Sequence, residues 1–146
     1  PAFTALEALI VCAFFGLLVT LGALSINGAR ARSRDAVRLS DVNALRAALN
    51  VYWQQKATYP SSPGIVLGEP NATDALTLDG FVPAAQAKPP LLLPAVNPDP
   101  SGTPYWYKGG PAGYAIRFET ERDTALGPPN VYYLHSTGFD LADDLK

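Results

Sequence analysis

The sequence predicts an α+β protein in which one long amino-terminal helix packs on a small antiparallel β-sheet head with proline-rich loops. Three observations carry this. Apart from Pro1, no proline occurs before Pro60, whereas the other thirteen lie between Pro60 and Pro129, so a helix can run through the first 58 or so residues and through little of the rest. Ala8 to Ile26 holds no charge and is apolar except at Thr20 and Ser25. Tyr114, Ile116 and Phe118 alternate with Ala115, Arg117 and Glu119, the period of a strand with one face on a core.

The expected order is a membrane or filament-core helix over residues 1–28, an amphipathic continuation over 29–58, and a head over 59–146. Nineteen residues from Ala8 to Ile26 rise roughly 28 Å as a helix, about the thickness of a bilayer core. A helix apolar all round requires a membrane or burial among other chains, because a 15.5 kDa protein has no interior deep enough to surround it. In the second half Val42, Leu45, Leu49 and Tyr52 recur at helical spacing with Ala48 beside them, and Arg38, Asp41 and Arg46 are expected on flanking or opposite faces. Tyr59-Pro60 should end the helix.

Beyond it, residues 61–104 read as loop, punctuated by Pro63-Gly64, Asp79-Gly80 and the Asn97 to Gly102 turn cluster. Leu91 to Leu93 is too closely bounded by prolines for a central strand. Tyr105 to Tyr107, Tyr114 to Glu119 and Val131 to His135 are the strand candidates, with Lys108 to Gly113 as a hairpin connection between the first two.

Composition narrows the function. Apolar residues make up 48% and charged residues 16%, which excludes disorder driven by charge. A net charge of −2 supplies no basic field for nucleic acid, so DNA binding is not indicated. Cys12 is the single cysteine and His135 the single histidine, so neither an intrachain disulfide nor a Cys/His metal cluster can form. Cys12 reads as a small core residue and His135 as a surface or sheet residue. No nucleotide loop, His-Glu-x-x-His, Gly-x-Ser-x-Gly or paired-carboxylate cleft is present, and the expectation is a protein that is not an enzyme.

Glu7 precedes the apolar run, where an acidic side chain is costly unless it lies near the interface or meets a cation. Phe3, Thr4, Leu6 and Glu7, followed by the apolar helix with Gly16 nine residues after the glutamate, resemble the mature amino terminus of type IV pilins and type II secretion pseudopilins. Ala47 to Tyr52 with Tyr59-Pro60, and Leu93-Pro94 through Asp99-Pro100 before Tyr105, resemble later parts of family members that lack a head disulfide. The resemblance implies a basic leader removed by a prepilin peptidase, which methylates the new amino terminus, residence in the bacterial inner membrane, and extrusion by an assembly machine into a helical surface filament. It makes Glu7 the assembly residue, paired with a neighbouring copy's amino terminus, and Phe3 the processed and methylated one, with Pro1 as the alternative start. Ala2 stands where the family usually has glycine before the cut.

Arg30, Arg32, Arg34 and Arg38 follow the apolar segment. The positive-inside rule places that end in the cytoplasm, whereas the resemblance places the head outside; on the filament reading these arginines, Arg30 and Arg34 among them, face acidic groups of neighbouring copies around Glu119, Glu121 or Asp123. Leu24 stands near the family's usual helix proline, so a more continuous helix is expected, with Gly16, Gly22 and Gly28 as weak points, or melting only around Gly16 to Gly22. Asp140, Asp143 and Asp144 form an acidic loop whose oxygens suit Ca²⁺, as in the major pseudopilins that it resembles; otherwise no cofactor is expected. Asn71-Ala72-Thr73 matches a glycosylation pattern. The expected function is the major pilin of a type IV pilus-like filament, partnered chiefly by copies of itself and serving tasks such as adhesion or motility. A major pseudopilin and a membrane-anchored monomeric binding module are the alternatives.

Overall fold

A computed structural model describes residues 4–70 and 73–146, and of Leu24 only the backbone. It contains one long helix and two antiparallel sheets, the α+β architecture expected. Helix α1 runs Ala5–Lys56 without interruption, through the glycines expected to weaken it. Ala57 closes it in the left-handed region (φ 54°), its N–H donating to Trp53 O at 2.7 Å. That is the usual task of a glycine at a helix carboxy terminus. Two compact units divide the chain, Pro1–Ser33 and Arg34–Lys146.

In the second unit, β1 (Ser62–Leu67), β5 (Tyr105–Gly110), β6 (Gly113–Glu119), β7 (Val131–Leu134) and β8 (Phe139–Asp140) form a sheet in the order β1-β5-β6-β7-β8. Strands β2 (Asp74–Thr77), β3 (Gly80–Pro83) and β4 (Leu91–Leu93) form a second sheet in the order β3-β2-β4, and a 3₁₀ turn at Ala84–Gln86 follows β3. Every pairing is antiparallel.

The three predicted strands are β5, β6 and β7. Their connection is tighter than expected: β5 continues to Gly110, which pairs with Gly113 across the two-residue turn Pro111-Ala112. The loop reading of residues 61–104 is corrected, since four strands lie there. Their prolines sit where a missing donor costs least: Pro63 in the edge strand β1, within an irregularity between Ser62 and Ile65, and Pro83 at the end of the edge strand β3. The turn signal at Asp79-Gly80 marks the two-residue hairpin turn Leu78-Asp79 that joins β2 to β3, with Thr77 paired to Gly80. Leu91 to Leu93 forms an edge strand and not a central one.

The predicted stripe Val42, Leu45, Ala48, Leu49 and Tyr52 is buried. It packs with Leu67, Tyr105, Tyr107, Ile116, Phe118 and Leu134 into one core, each large side chain contributing about 1.5–3 kcal/mol by leaving water. Tyr59 meets Tyr114 edge-on with centroids 4.8 Å apart, and Phe81 lies 4.7 Å from Tyr107. The Tyr107 hydroxyl donates to Pro60 O at 2.7 Å, tying the segment after α1 to β5. Gly109 makes room for this: a Cβ there would lie 2.1 Å from the Tyr107 hydroxyl.

Candidate assembly surface

In the first unit, every side chain described from Thr4 to Ile26 is exposed, including Leu9 at 67%, Phe15 at 62% and Val19 at 69%. This helix is long and apolar enough to cross a membrane. The Thr20 hydroxyl is satisfied locally, its single O–H shared between Leu17 O at 2.8 Å and Gly16 O at 3.0 Å. Gly16 has open space around its Cα, room for close approach of another backbone. Cys12 is exposed in the single chain.

Glu7 sits in the first turn. Its Oε2 accepts from Thr4 N–H and from the Thr4 hydroxyl, both at 2.8 Å, while Glu7 N–H donates back to Thr4 Oγ1 at 3.3 Å. This is a reciprocal capping box, which satisfies helix-end donors and favours negative charge at the positive end of the helix dipole. Sequence reasoning missed it, although Thr4-x-x-Glu7 is its signature. Glu7 Oε1 makes no hydrogen bond among the described residues. Phe3 and Pro1, the residues expected to be processed, lie outside the described residues, as do Asn71 and Ala72 of the glycosylation pattern.

In the second unit, one turn before the apolar stripe, α1 carries a charge cluster that the sequence reading did not foresee. Arg38, expected on a flanking face, is only 2% exposed, as is Asp35. Its guanidinium donates to Asp35 Oδ1 at 2.7 Å, to Asp99 Oδ2 at 2.5 Å and to Ser101 Oγ at 2.6 Å, and reaches Glu121 Oε1 at 2.8 Å. The Asp35 carboxylate accepts from the backbone N–H of Glu121 at 3.0 Å and of Arg122 at 2.9 Å. Arg34 forms a two-point pair with Glu121, one arm at 2.8 Å. Within the single chain, therefore, Arg34 and Glu121 serve each other; Arg30 is exposed.

Electrostatics follow the geometry. The Arg34 hydrogen bond, with Arg38 in support and against some desolvation, holds the Glu121 carboxyl at about 2. Burial pushes Asp99 up, but hydrogen bonds from Arg38 and Ser101 outweigh it and hold it below its ordinary value. Two loops, around Asp99 and around Glu121, are thereby fastened to one turn of helix.

The acidic loop is arranged differently from a calcium site. Asp140 and Asp144 come together with His135, their ligand atoms within 4.8 Å of one another, while Asp143 lies 3.9 Å from Lys108 Nζ. Lys146 Nζ bridges Asp140 Oδ2 at 2.7 Å and Asp144 Oδ1 at 3.1 Å, and its hydrogen bond holds Asp140 at about 2. Ca²⁺ takes six to eight oxygens; two carboxylates bridged by an ammonium, beside an imidazole, fit it poorly. His135, read as a surface or sheet residue, is fully buried after β7, with Nδ1 2.9 Å from Tyr114 O and Nε2 3.0 Å from Asp140 Oδ1.

The solvent face of α1 in the second unit is also unusual. Ala36, Val37, Ser40, Asn43, Ala44, Ala47, Asn50 and Val51 are all exposed, and none is charged. Exposed helix faces ordinarily carry charge opposite the buried stripe.

These features define an α+β protein with one helix able to cross a membrane and a head built on that helix's continuation. Compared with protein-family models, with curated proteins and with solved structures, the chain matches none.

Proposed function

We propose that this chain is the repeating subunit of a type IV pilus-like surface filament, held in the bacterial inner membrane before assembly and packed helix against helix afterwards. The observation that carries the reading is the first half of α1, where no charge occurs from Ala8 to Ile26 and every described side chain is exposed. Lipid or other copies must cover that surface. The uncharged outer face of the second half supports copies over lipid alone, because it extends contact-ready surface well past one bilayer thickness.

Glu7 is the proposed assembly residue. Its capped Oε2 keeps the helix start in order, and its Oε1, which makes no hydrogen bond among the described residues, suits a neighbour's amino terminus, so cap and ion pair are compatible. Two substitutions separate them. Glu7→Gln keeps the capping-box geometry without the charge, whereas Glu7→Ala removes both. Shearing cells and imaging the released fraction by negative-stain electron microscopy is expected to show long filaments for the native chain. Neither variant should form ordered filaments, while both subunits persist in the membrane. Normal filaments from Glu7→Gln would sink the charge role. A native chain that stays with the membrane and yields no fibres would displace the pilus reading in favour of a pseudopilin or an anchored module.

A further inference from the structure

The outer face of the five-stranded sheet holds a hollow that assembly through α1 does not use. Trp106 of β5 stands opposite Arg117 of β6, which stands opposite Tyr133 of β7; one step along, Lys108 stands opposite Ala115. Neighbouring strands lie about 4.8 Å apart, so the Trp106 and Tyr133 backbones are about 10 Å apart. An open hollow of about 230 Å³ is lined by Trp106, Arg117, Tyr133, Lys108, Ala115 and Asp143, with Arg117 between the two aromatics in register and Ala115 covered beside Lys108. The irregular start of β1 at Pro63-Gly64 walls it on the other side. Trp106 is 44% exposed, a large ring left beside a cup instead of in a core.

Charge decides the ligand class. Each cation has a carboxylate nearby: Lys108 Nζ lies 3.9 Å from Asp143 Oδ1, an exposed pair without a hydrogen bond, and Arg117 donates to Glu119 Oε1 at 2.5 Å. With two carboxylates beside the two cations, a phosphate or carboxylate would meet no net positive charge to repay its desolvation. The rim nevertheless offers N–H donors and carboxylate acceptors together, and the walls are flat aromatic surfaces. A ring with an apolar C–H face and an edge of hydroxyls satisfies both features. We propose that this hollow binds a neutral saccharide ring, stacked on Trp106 and closed by Tyr133, with its hydroxyls on Arg117, Lys108 and Asp143.

The proposal is independent of filament formation and is tested on the full chain in a detergent that contains no sugar. Trp53→Phe leaves Trp106 as the one tryptophan, since the chain has two, and its fluorescence reports the hollow. Titration with chitobiose and with maltose is expected to give a saturable change with a millimolar midpoint for at least one of them, and galacturonate should bind more weakly. Tyr133→Ala and Ala115→Leu should each weaken the response about tenfold or more, roughly the loss of one good contact, with far-ultraviolet circular dichroism unchanged. Should either variant unfold, Arg117→Ala decides alone, because Arg117 lines the hollow and its side chain is a third exposed; a response indifferent to it would overturn the proposal. Absence of a saturable response to both neutral sugars, tighter binding of galacturonate, or a response indifferent to Ala115→Leu would each overturn the proposal. A response only to a Gly-Pro-Pro-Asn peptide, the Gly127 to Asn130 sequence that is exposed from Pro128 on, would overturn it in favour of a protein-docking face.

Discussion

Arg38 reaches three acidic residues, one in its own helix turn and two in loops some 60 to 80 positions away in sequence. Its spacing was legible: Arg38, Val42, Leu45, Leu49 and Tyr52 are one continuous helical stripe, and only its charge argued for placing it elsewhere. Its partners were not legible, because Asp99 and Glu121 come to it through tertiary folding and no local pattern marks them. Removing one member of a buried charge cluster leaves the others uncompensated, which typically costs about 3–5 kcal/mol. Arg38→Ala is therefore expected to destabilise the second unit by about that amount in urea denaturation. A loss under about 1 kcal/mol would show that Asp35 and Asp99 find water and are not truly enclosed. The Thr4–Glu7 box teaches a related lesson, since both residues were in view while the assembly role of Glu7 drew attention from its local one.

At the scale of elements, the cluster clasps the loops around Asp99 and Glu121 to α1, and pH should release them. Both carboxyls titrate below their ordinary values when folded, so the unfolded chain binds protons first. The stability they contribute is complete above the unfolded values and is lost as pH falls through the folded ones. For Glu121 that window runs from about 4.5 down to about 2, and Asp140, held by Lys146, acts in the same sense. The thermal midpoint of the second unit should be level above pH 5 or so and fall steadily below about 4.5. Arg34→Gln should flatten part of that fall; a midpoint unchanged down to about pH 2 would contradict the ion-pair account. Strands β5 to β7 were readable because aromatic and β-branched residues alternate there without proline. Strands β1 to β4 were not: β1 and β3 carry prolines at edges, where a missing donor is tolerated, and β2, the four residues Asp74–Thr77, is too short to show a period among the surrounding turn signals.

For the whole molecule, the sequence made the membrane-length helix, its amphipathic continuation and the antiparallel head legible, since each rests on a periodicity that survives without knowledge of contacts. The surface left for other copies was harder to see. The outer face from Ala36 to Val51 is defined by charges that are missing, and a missing charge is noticed only once the opposite face is known to be buried. Ala47→Glu tests that face. A solvent-facing change of this kind should alter the stability of the second unit by no more than about 0.5 kcal/mol, yet on the filament reading it should abolish or sharply reduce fibres recovered by shearing. Normal fibre yield would show that this side of α1 stays in solvent after assembly.

The position of the Arg34 and Arg38 clasp also has a mechanical meaning. It lies at the amino-terminal edge of the stripe that holds α1 to the sheets, ahead of Val42, Leu45, Leu49 and Tyr52. Tension drawn along α1 from that side meets several ionic bonds to two loops before it reaches the apolar stripe that begins at Val42. The head is riveted at the end where such a pull would arrive.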